Sequence, residues 1–325
     1  MAIDERGELR GQVLDERYRI VRRIGLGGTG VVFEARCIRD GGSVAVKTLR
    51  PCFLNHPDLG RRLRREAEVA HRVHHPGIVP MLDEGTLHDG TPYVVMPLLT
   101  GESLARVLLR ARSLPLEAVA AIVSRVAAIL RNAHWAGYVH RDVKPEHVLL
   151  EVSPSGELLV YLLDFGVCSS RDAPNDERER EKGKVFGTPS YVSPEQAAGE
   201  CNVDARADLF SLGVLMFEAL SGRLPFSAPS VSKLLVRIIR EDAPRLSEAL
   251  PGVTPAIDDL VARLLARDPQ DRFPSARALA RALAPHVGER VLAEARVGSM
   301  LRIASHAPDA ALTESPTKVP VQRVA

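Results

Sequence analysis

The sequence predicts an α+β fold in which antiparallel strands come first and helices follow. Between Tyr18 and Lys47, short runs of β-branched and aromatic residues are separated by glycine turns, the pattern of consecutive hairpins. Further on, Val119, Ile122, Val123, Val126, Ile129, Leu130 and Ala133 recur at helical spacing as one broad apolar stripe. With 325 residues, the chain can bury the cores of one large domain or two modest lobes without staples.

Residues 1–17 are polar and contain glycine, and read as an unanchored lead-in. Tyr18, Ile20 and Ile24 then alternate with Arg19, Val21 and Arg23, a strand with one face to bury. Gly25, Leu26, Gly27, Gly28, Thr29 and Gly30 follow, and Val31, Val32 and Phe33 continue as strand. A GxGxxG string that opens a helix belongs to dinucleotide-binding units; here it joins strand to strand. It therefore reads as a flap whose backbone, free of Cβ atoms, can lie close over phosphates. Gly41 and Gly42 make the next turn, and Ser43 to Lys47 form a third strand. A terminal lysine is commonly only a solvated strand end, but one hairpin after a glycine flap it is placed to reach phosphates. Residues 60–74 carry Leu63, Ala67, Ala70 and His74 at helical spacing, with Glu66 beside them as the expected partner of Lys47 and Glu68 as the alternative.

Pro76 ends that helix. Gly77 to Met81 starts a strand, and Pro92 to Met96 forms another, broken by Pro97 to Gly101. The long helix ends near Gly137 and feeds into Tyr138, Val139 and His140. Residues 148–150 and 158–163 pair around a turn at Ser153 to Gly156, residues 167–185 form a charged surface loop, and Leu209–Leu220 is a buried helix. In 286–325, Val287, Val291 and Ala295 suit a short helix, and the tail after Ala307 has the composition of disorder.

Basic and acidic residues nearly balance, 43 against 41, for a net charge of +2, so the overall field gives no reason to expect nucleic acid as a partner. The run Arg61, Arg62, Arg64, Arg65 reads as a solvated helix face. Cys37, Cys52, Cys168 and Cys201 show no metal-like spacing and suit reduced thiols in a cytoplasmic protein. The N-terminus has no apolar signal core, and no stretch approaches the roughly 20 apolar residues of a membrane span.

The chemistry concentrates in His140, Arg141, Asp142, Val143, Lys144, Pro145, Glu146 and His147 before an apolar strand, with Asp164, Phe165 and Gly166 one hairpin later. These groups suit phosphoryl transfer: Asp142 can accept a proton from an attacking hydroxyl or orient it, Asp164 can hold Mg²⁺, and Lys144 can sit near the phosphoryl group.

From Tyr18 to about Pro285 these elements, with Gly187 to Glu195, Asp208 and Arg267 to Phe273, resemble in order and spacing a bacterial, eukaryotic-like serine/threonine protein kinase domain. The resemblance implies an N-lobe over 18–96 with a five-stranded antiparallel sheet and one key helix, a hinge over 97–101, a mainly helical C-lobe over 102–285, and ATP between the lobes. Residues Ile24 to Val32 and Ala45 would surround the nucleotide, with Met96 beside the adenine and the backbone of Pro97 and Leu99 contacting it. Lys47 would pair with Glu66 and contact phosphates, Asp142 would be the base, Lys144 would neutralise charge, and Asp164 would bind the metal. Lys144 together with Thr188 resembles kinases acting on serine and threonine hydroxyls of proteins. Glu195 and Arg272 would form a structural ion pair, and Asp208 would brace the loop. Arg141 implies control through the loop before Gly187; since 172–187 holds no Ser, Thr or Tyr, Glu179 or Glu181 is expected to stand in for a phosphate.

His147 departs from the pattern, which has Asn there to give an amide oxygen to the metal. A ring nitrogen suits Mg²⁺ poorly. Two readings follow: a slowed enzyme that relies on one metal or prefers Mn²⁺, or a pseudokinase that binds nucleotide or partners as a scaffold. A metal site of His140 with His147 is a further reading. The protein substrate and the oligomeric state are not encoded in any motif.

Overall fold

The computed structural model describes residues 9–27, 30–50, 53, 57–170 and 183–287. The N-terminal lobe is a six-stranded antiparallel sheet in the order β1-β2-β3-β4-β6-β5. Its strands are β1 Val13–Leu14, β2 Tyr18–Leu26, β3 Gly30–Cys37, β4 Ser43–Leu49, β5 Asp83–Thr86 and β6 Pro92–Pro97. Alternation sorts the side chains onto opposite faces. Val31, Phe33, Ala35, Val44, Val46, Tyr93 and Val95 build one core cluster, closed by Leu9 and Leu14. Register places Val32 against Lys47, Lys47 against Val94, and Ala45 against Met96, so these residues share the other face. Helix α1, Pro57–Arg72, packs there through Leu63 and Ala67 on Val94, with Met81 and Met96 alongside.

Several sequence readings are corrected here. The sheet has six strands rather than five, because β1 pairs with β2. The described part of the expected lead-in is anchored: Leu9 and Leu14 are buried, and the Tyr93 hydroxyl donates to Asp15. Gly77 to Met81 forms no strand. Gly77 instead presses on the long helix, where a Cβ would lie 2.4 Å from Ile129 Cδ1, and its carbonyl accepts the Leu162 N–H at 2.9 Å. The strand is the polar edge segment β5. His74 lies beyond α1 and is exposed, while Val69 and Val73 enter the C-lobe core. Of the basic run, Arg62 stacks over Phe186 at 5.6 Å and Arg65 is largely buried, its side chain 18% exposed.

The C-lobe contains α2 Leu104–Ala111, α3 Leu116–Trp135, α4 Pro194–Ala197, α5 Arg206–Ser221, α6 Val231–Arg240, α7 Leu246–Ala249, α8 Pro255–Leu264 and α9 Ala276–Leu283. Every residue of the expected α3 stripe is buried, and Ala118, Ala120, Ala121 and Ala127 join them. Small side chains let neighbours approach α3 closely on its other sides. Gly137, φ 86°, follows the helix end and turns the chain into β8, Tyr138–Val139. The hairpin β9 Val148–Val152 and β10 Leu158–Leu162 forms as expected, with β7 Glu102–Ser103 beside β9. Ser169–Ser170, β11, pairs with β8. The expected loop acids Glu179 and Glu181 and the tail from 288 lie outside the described residues.

Candidate active site

Strands β2 and β3 bring the glycine turn over the cleft: Gly25 pairs with Val32, and the Gly27 N–H donates to the Gly30 carbonyl at 2.9 Å. A Cβ on Gly30 would lie 3.1 Å from the Thr48 carbonyl, a tight contact, so the close approach of β3 to β4 favours glycine here. Ile24 lies at the β2 irregularity and is half-buried. Val31 does not face the cleft, being 1% exposed in the opposite core, and its partner Leu26 is on that same outer side, exposed. Gly28 and Thr29 lie outside the described residues. Ala45 and Met96 are paired neighbours on the cleft face, and Leu99 is half-buried in the segment leading to β7.

Lys47 Nζ donates to Glu66 Oε2 at 2.6 Å and to Asp164 Oδ1 at 3.3 Å. Burial alone would lower the ammonium's pKa, but the charges of Glu66 and then Asp164 outweigh it and raise it, so Lys47 is charged. Glu68, the alternative partner, instead accepts from the Tyr138 hydroxyl at 2.9 Å.

The loop after β8 holds the second cluster. Lys144 Nζ donates to Asp142 Oδ2 at 2.8 Å and to Thr188 Oγ1 at 2.5 Å. The Thr188 N–H and hydroxyl both donate to Asp142 Oδ1, at 2.7 and 2.9 Å. Both carboxylate oxygens are thereby oriented, and the lysine sits beside them. Such a cluster can take a proton from a hydroxyl while balancing charge on a nearby phosphoryl group.

Asp164 adopts φ 65°, a left-handed conformation that aspartate tolerates better than most residues. Its carboxyl titrates below the usual range: burial would raise it, but Lys47 and then His147 lower it. His147 Nε2 lies 3.4 Å from Asp164 Oδ2, and its Nδ1 lies 2.9 Å from the Asp142 carbonyl. Burial pushes the ring's pKa down to about 4, against the pull of Asp164 and Asp142, so it is neutral at pH 7. Among the described residues no group of three or more His, Cys, Asp or Glu side chains could by itself hold a metal ion. Any cation here needs donors from a phosphate or water as well.

Buried polar contacts fix this loop. Asp208 on α5 is fully buried and accepts the N–H groups of His140 and Arg141 at 2.9 and 2.8 Å, with His134 Nε2 at 2.7 Å. Gln196 Nε2 donates to the Arg141 carbonyl at 2.9 Å. Arg272 forms a two-pronged pair with Glu195, both contacts 2.8 Å. The sequence reading included Glu195, Arg272 and Asp208 but missed Gln196 and His134. The Ser193-x-x-Gln196 capping box was a legible signal for a helix start, though not for the reach to Arg141.

A strand lobe and a helical lobe, with a glycine turn, a Lys–Glu pair and an Asp–Lys–Thr cluster between them, are the features of a protein kinase. The protein kinase domain family matches residues 18–283, and the chain belongs to it. It is 35% identical over 281 residues to serine/threonine-protein kinase pkn3 of Myxococcus xanthus, spanning 86% of this chain and 51% of that protein. It is 36% identical over 302 residues to PknL of Mycobacterium tuberculosis, spanning 93% of this chain and 73% of the relative. The PknI kinase domain of M. tuberculosis is similar in structure, with a TM-score of 0.66, 31% identity, and coverage of 86% of this chain and 100% of that one. The chain thus spans about half the length of pkn3.

Proposed function

We propose that this chain is an ATP-dependent protein kinase that transfers the γ-phosphoryl group to serine and threonine hydroxyls of proteins. The observation that carries the reading is the double anchoring of Asp142 by Lys144 and Thr188, one short hairpin from the Lys47–Glu66–Asp164 chain. ATP lies under the glycine turn, with Ala45, Met96 and Leu99 toward the base and Lys47, held in place by Glu66, on its α- and β-phosphates. Asp142 orients the attacking hydroxyl and accepts its proton. Lys144 balances charge on the transferred group. Asp164 and His147 would hold Mg²⁺ or Mn²⁺ together with phosphate or water oxygens, and the ion would supply further charge neutralisation on the phosphates. The expected roles of Leu26 and Val31 reduce to backbone, since their side chains turn away.

His147 favours slow chemistry in Mg²⁺, because its nitrogen replaces an oxygen donor. The same residue is the specific feature that favours the second reading, a nucleotide-binding scaffold without transfer. A net charge of +2 gives no reason to invoke nucleic acid, and among the described residues no helix is long and apolar enough to cross a membrane. A cytoplasmic location is proposed with this function.

The test is radiolabel transfer from γ-labelled ATP to a generic basic protein and to the chain itself, in Mg²⁺ and separately in Mn²⁺. Transfer is expected in the wild type, lost in Asp142→Ala and raised in His147→Asn. Absence of transfer by the wild type in both metals, with gain in His147→Asn, would select the scaffold.

A further inference from the structure

We propose that the surface where α1 ends beside the last turn of α3 is a docking site for an acidic segment of a partner protein, with Trp135 as its apolar anchor and Arg131 and Arg72 as its charge contacts. The inference is independent of the nucleotide cleft and goes beyond the kinase reading.

The helix itself turns Trp135 outward. In its last turns α3 commits Ile129, Leu130 and Ala133 to the core, and His134 to Asp208, 2.7 Å from its Nε2. Position 135, and position 131 one turn before it, are left on the outer side. Trp135 is 89% exposed, and Arg131 is exposed beside it. A lone exposed apolar residue is ordinary on a protein surface. An indole flanked by arginines, however, has the composition of a binding hot spot.

The neighbouring element supplies more positive charge. Helix α1 ends at Arg72, and the chain continues through His74 and His75 to Gly77, which packs on Ile129 of α3. The end of α1 is thereby held against α3. Tyr138, three residues after Trp135, donates its hydroxyl to Glu68 at 2.9 Å, and Arg72 Nε lies 3.6 Å from the same carboxylate oxygen. His75 is near enough to Arg131 for that charge to add to burial in lowering the ring's pKa. His71, Arg72 and His74 are exposed. The nearby acids are already engaged, Glu68 with Tyr138 and Arg72, and Glu157 with Arg125 at 3.8 Å. Arg131 meets no carboxylate among the described residues.

Charge complementarity selects the occupant. A cationic rim around one indole fits carboxylates that flank an apolar side chain. A lipid surface matches less well, because helices that lie on membranes offer a broad apolar face. A nucleic-acid strand also matches less well: successive bases need successive aromatic platforms, and the net charge of +2 gives little pull on a polyanion. Since α1 belongs to the strand lobe and α3 to the helical lobe, a segment bound here touches both.

The chain has one tryptophan, so its intrinsic fluorescence reads this surface directly. The full chain is titrated at low salt with a synthetic peptide in which a leucine lies between runs of glutamate. A saturable blue shift of the emission is expected, weakened by added salt and absent with the peptide that has lysine in place of glutamate. With Arg72→Glu and Arg131→Glu combined, which keeps the tryptophan, the dissociation constant should rise on the order of tenfold. Trp135→Ala, followed by calorimetry, should weaken binding to a similar degree, and thermal unfolding checks that both variants fold. No saturable shift, an equal response to the lysine peptide, or an unchanged dissociation constant in either variant overturns the proposal. Saturation by phosphatidylglycerol vesicles or by oligothymidylate at lower concentration than the acidic peptide also overturns it, in favour of a lipid surface or a nucleic acid. No ATP is present, so either result leaves the kinase reading untouched.

Discussion

At residue scale, the ring of His147 is held between the Asp142 carbonyl and the Asp164 carboxylate, and its burial has a consequence for pH. The folded pKa is about 4 against an ordinary 6.5. Between those values the unfolded chain binds more protons, so the contribution is fully present above about pH 6.5 and is lost as pH falls toward 4. In metal-free buffer the wild type should therefore lose up to roughly 3 kcal/mol more than His147→Asn over this window, measured by urea unfolding. His75 is shifted the same way, which makes the difference between the two proteins the diagnostic quantity. Equal slopes would contradict the buried neutral ring. The departure at position 147 was legible in the sequence because the surrounding motif fixed the register. Which nitrogen faces Asp164 was not, since that depends on a backbone carbonyl that no residue identity reports.

Among the elements, α5 carries the contact that shapes the loop. Arg141 has φ 67°, a conformation costly for a long side chain, and Asp208 compensates by accepting the two adjacent N–H groups. Burial would raise the Asp208 carboxyl, but the hydrogen bond and charge of His134, then His140, lower it. Asp208→Ala leaves these donors buried without an acceptor and should cost roughly 3–5 kcal/mol, seen as a lower denaturant midpoint, with transfer activity lost even where the chain is folded. A loss under about 1 kcal/mol would show that the loop holds itself. Helix α3 could be read from its apolar stripe at helical spacing, and α5 from a nearly continuous apolar run, because it is buried on almost every side. Strand β5 could not, because Asp83, Glu84 and Gly85 carry no apolar alternation to announce their backbone pairing with β6 at the sheet edge. Gly77 and Ile78 misled as a strand because Gly77 packs against Ile129 of α3 and Ile78 is buried in the C-lobe core.

For the whole molecule, the order of lobes follows from motif spacing, whereas the closure of the sheet's outer face does not. Leu9, and Leu14 beside Val13, lie in an otherwise polar stretch and make no periodic signal, yet both leucines join Phe33, Val46 and Val95 in one cluster. Leu14→Asp should destabilise the N-lobe by roughly 3 kcal/mol, through lost burial and an unpaired buried charge. Thermal unfolding that left the variant's midpoint unchanged would show the segment to be dispensable. The Lys47–Glu66 and Asp142–Lys144–Thr188 contacts are present together, as the proposed phosphoryl transfer requires. The most direct test is a single-turnover rapid quench with γ-labelled ATP and Mn²⁺, followed by identification of the labelled amino acid. Label is expected on serine or threonine, and absent in Asp142→Ala. Bound nucleotide with no label transferred in either Mn²⁺ or Mg²⁺ would contradict the proposed transfer.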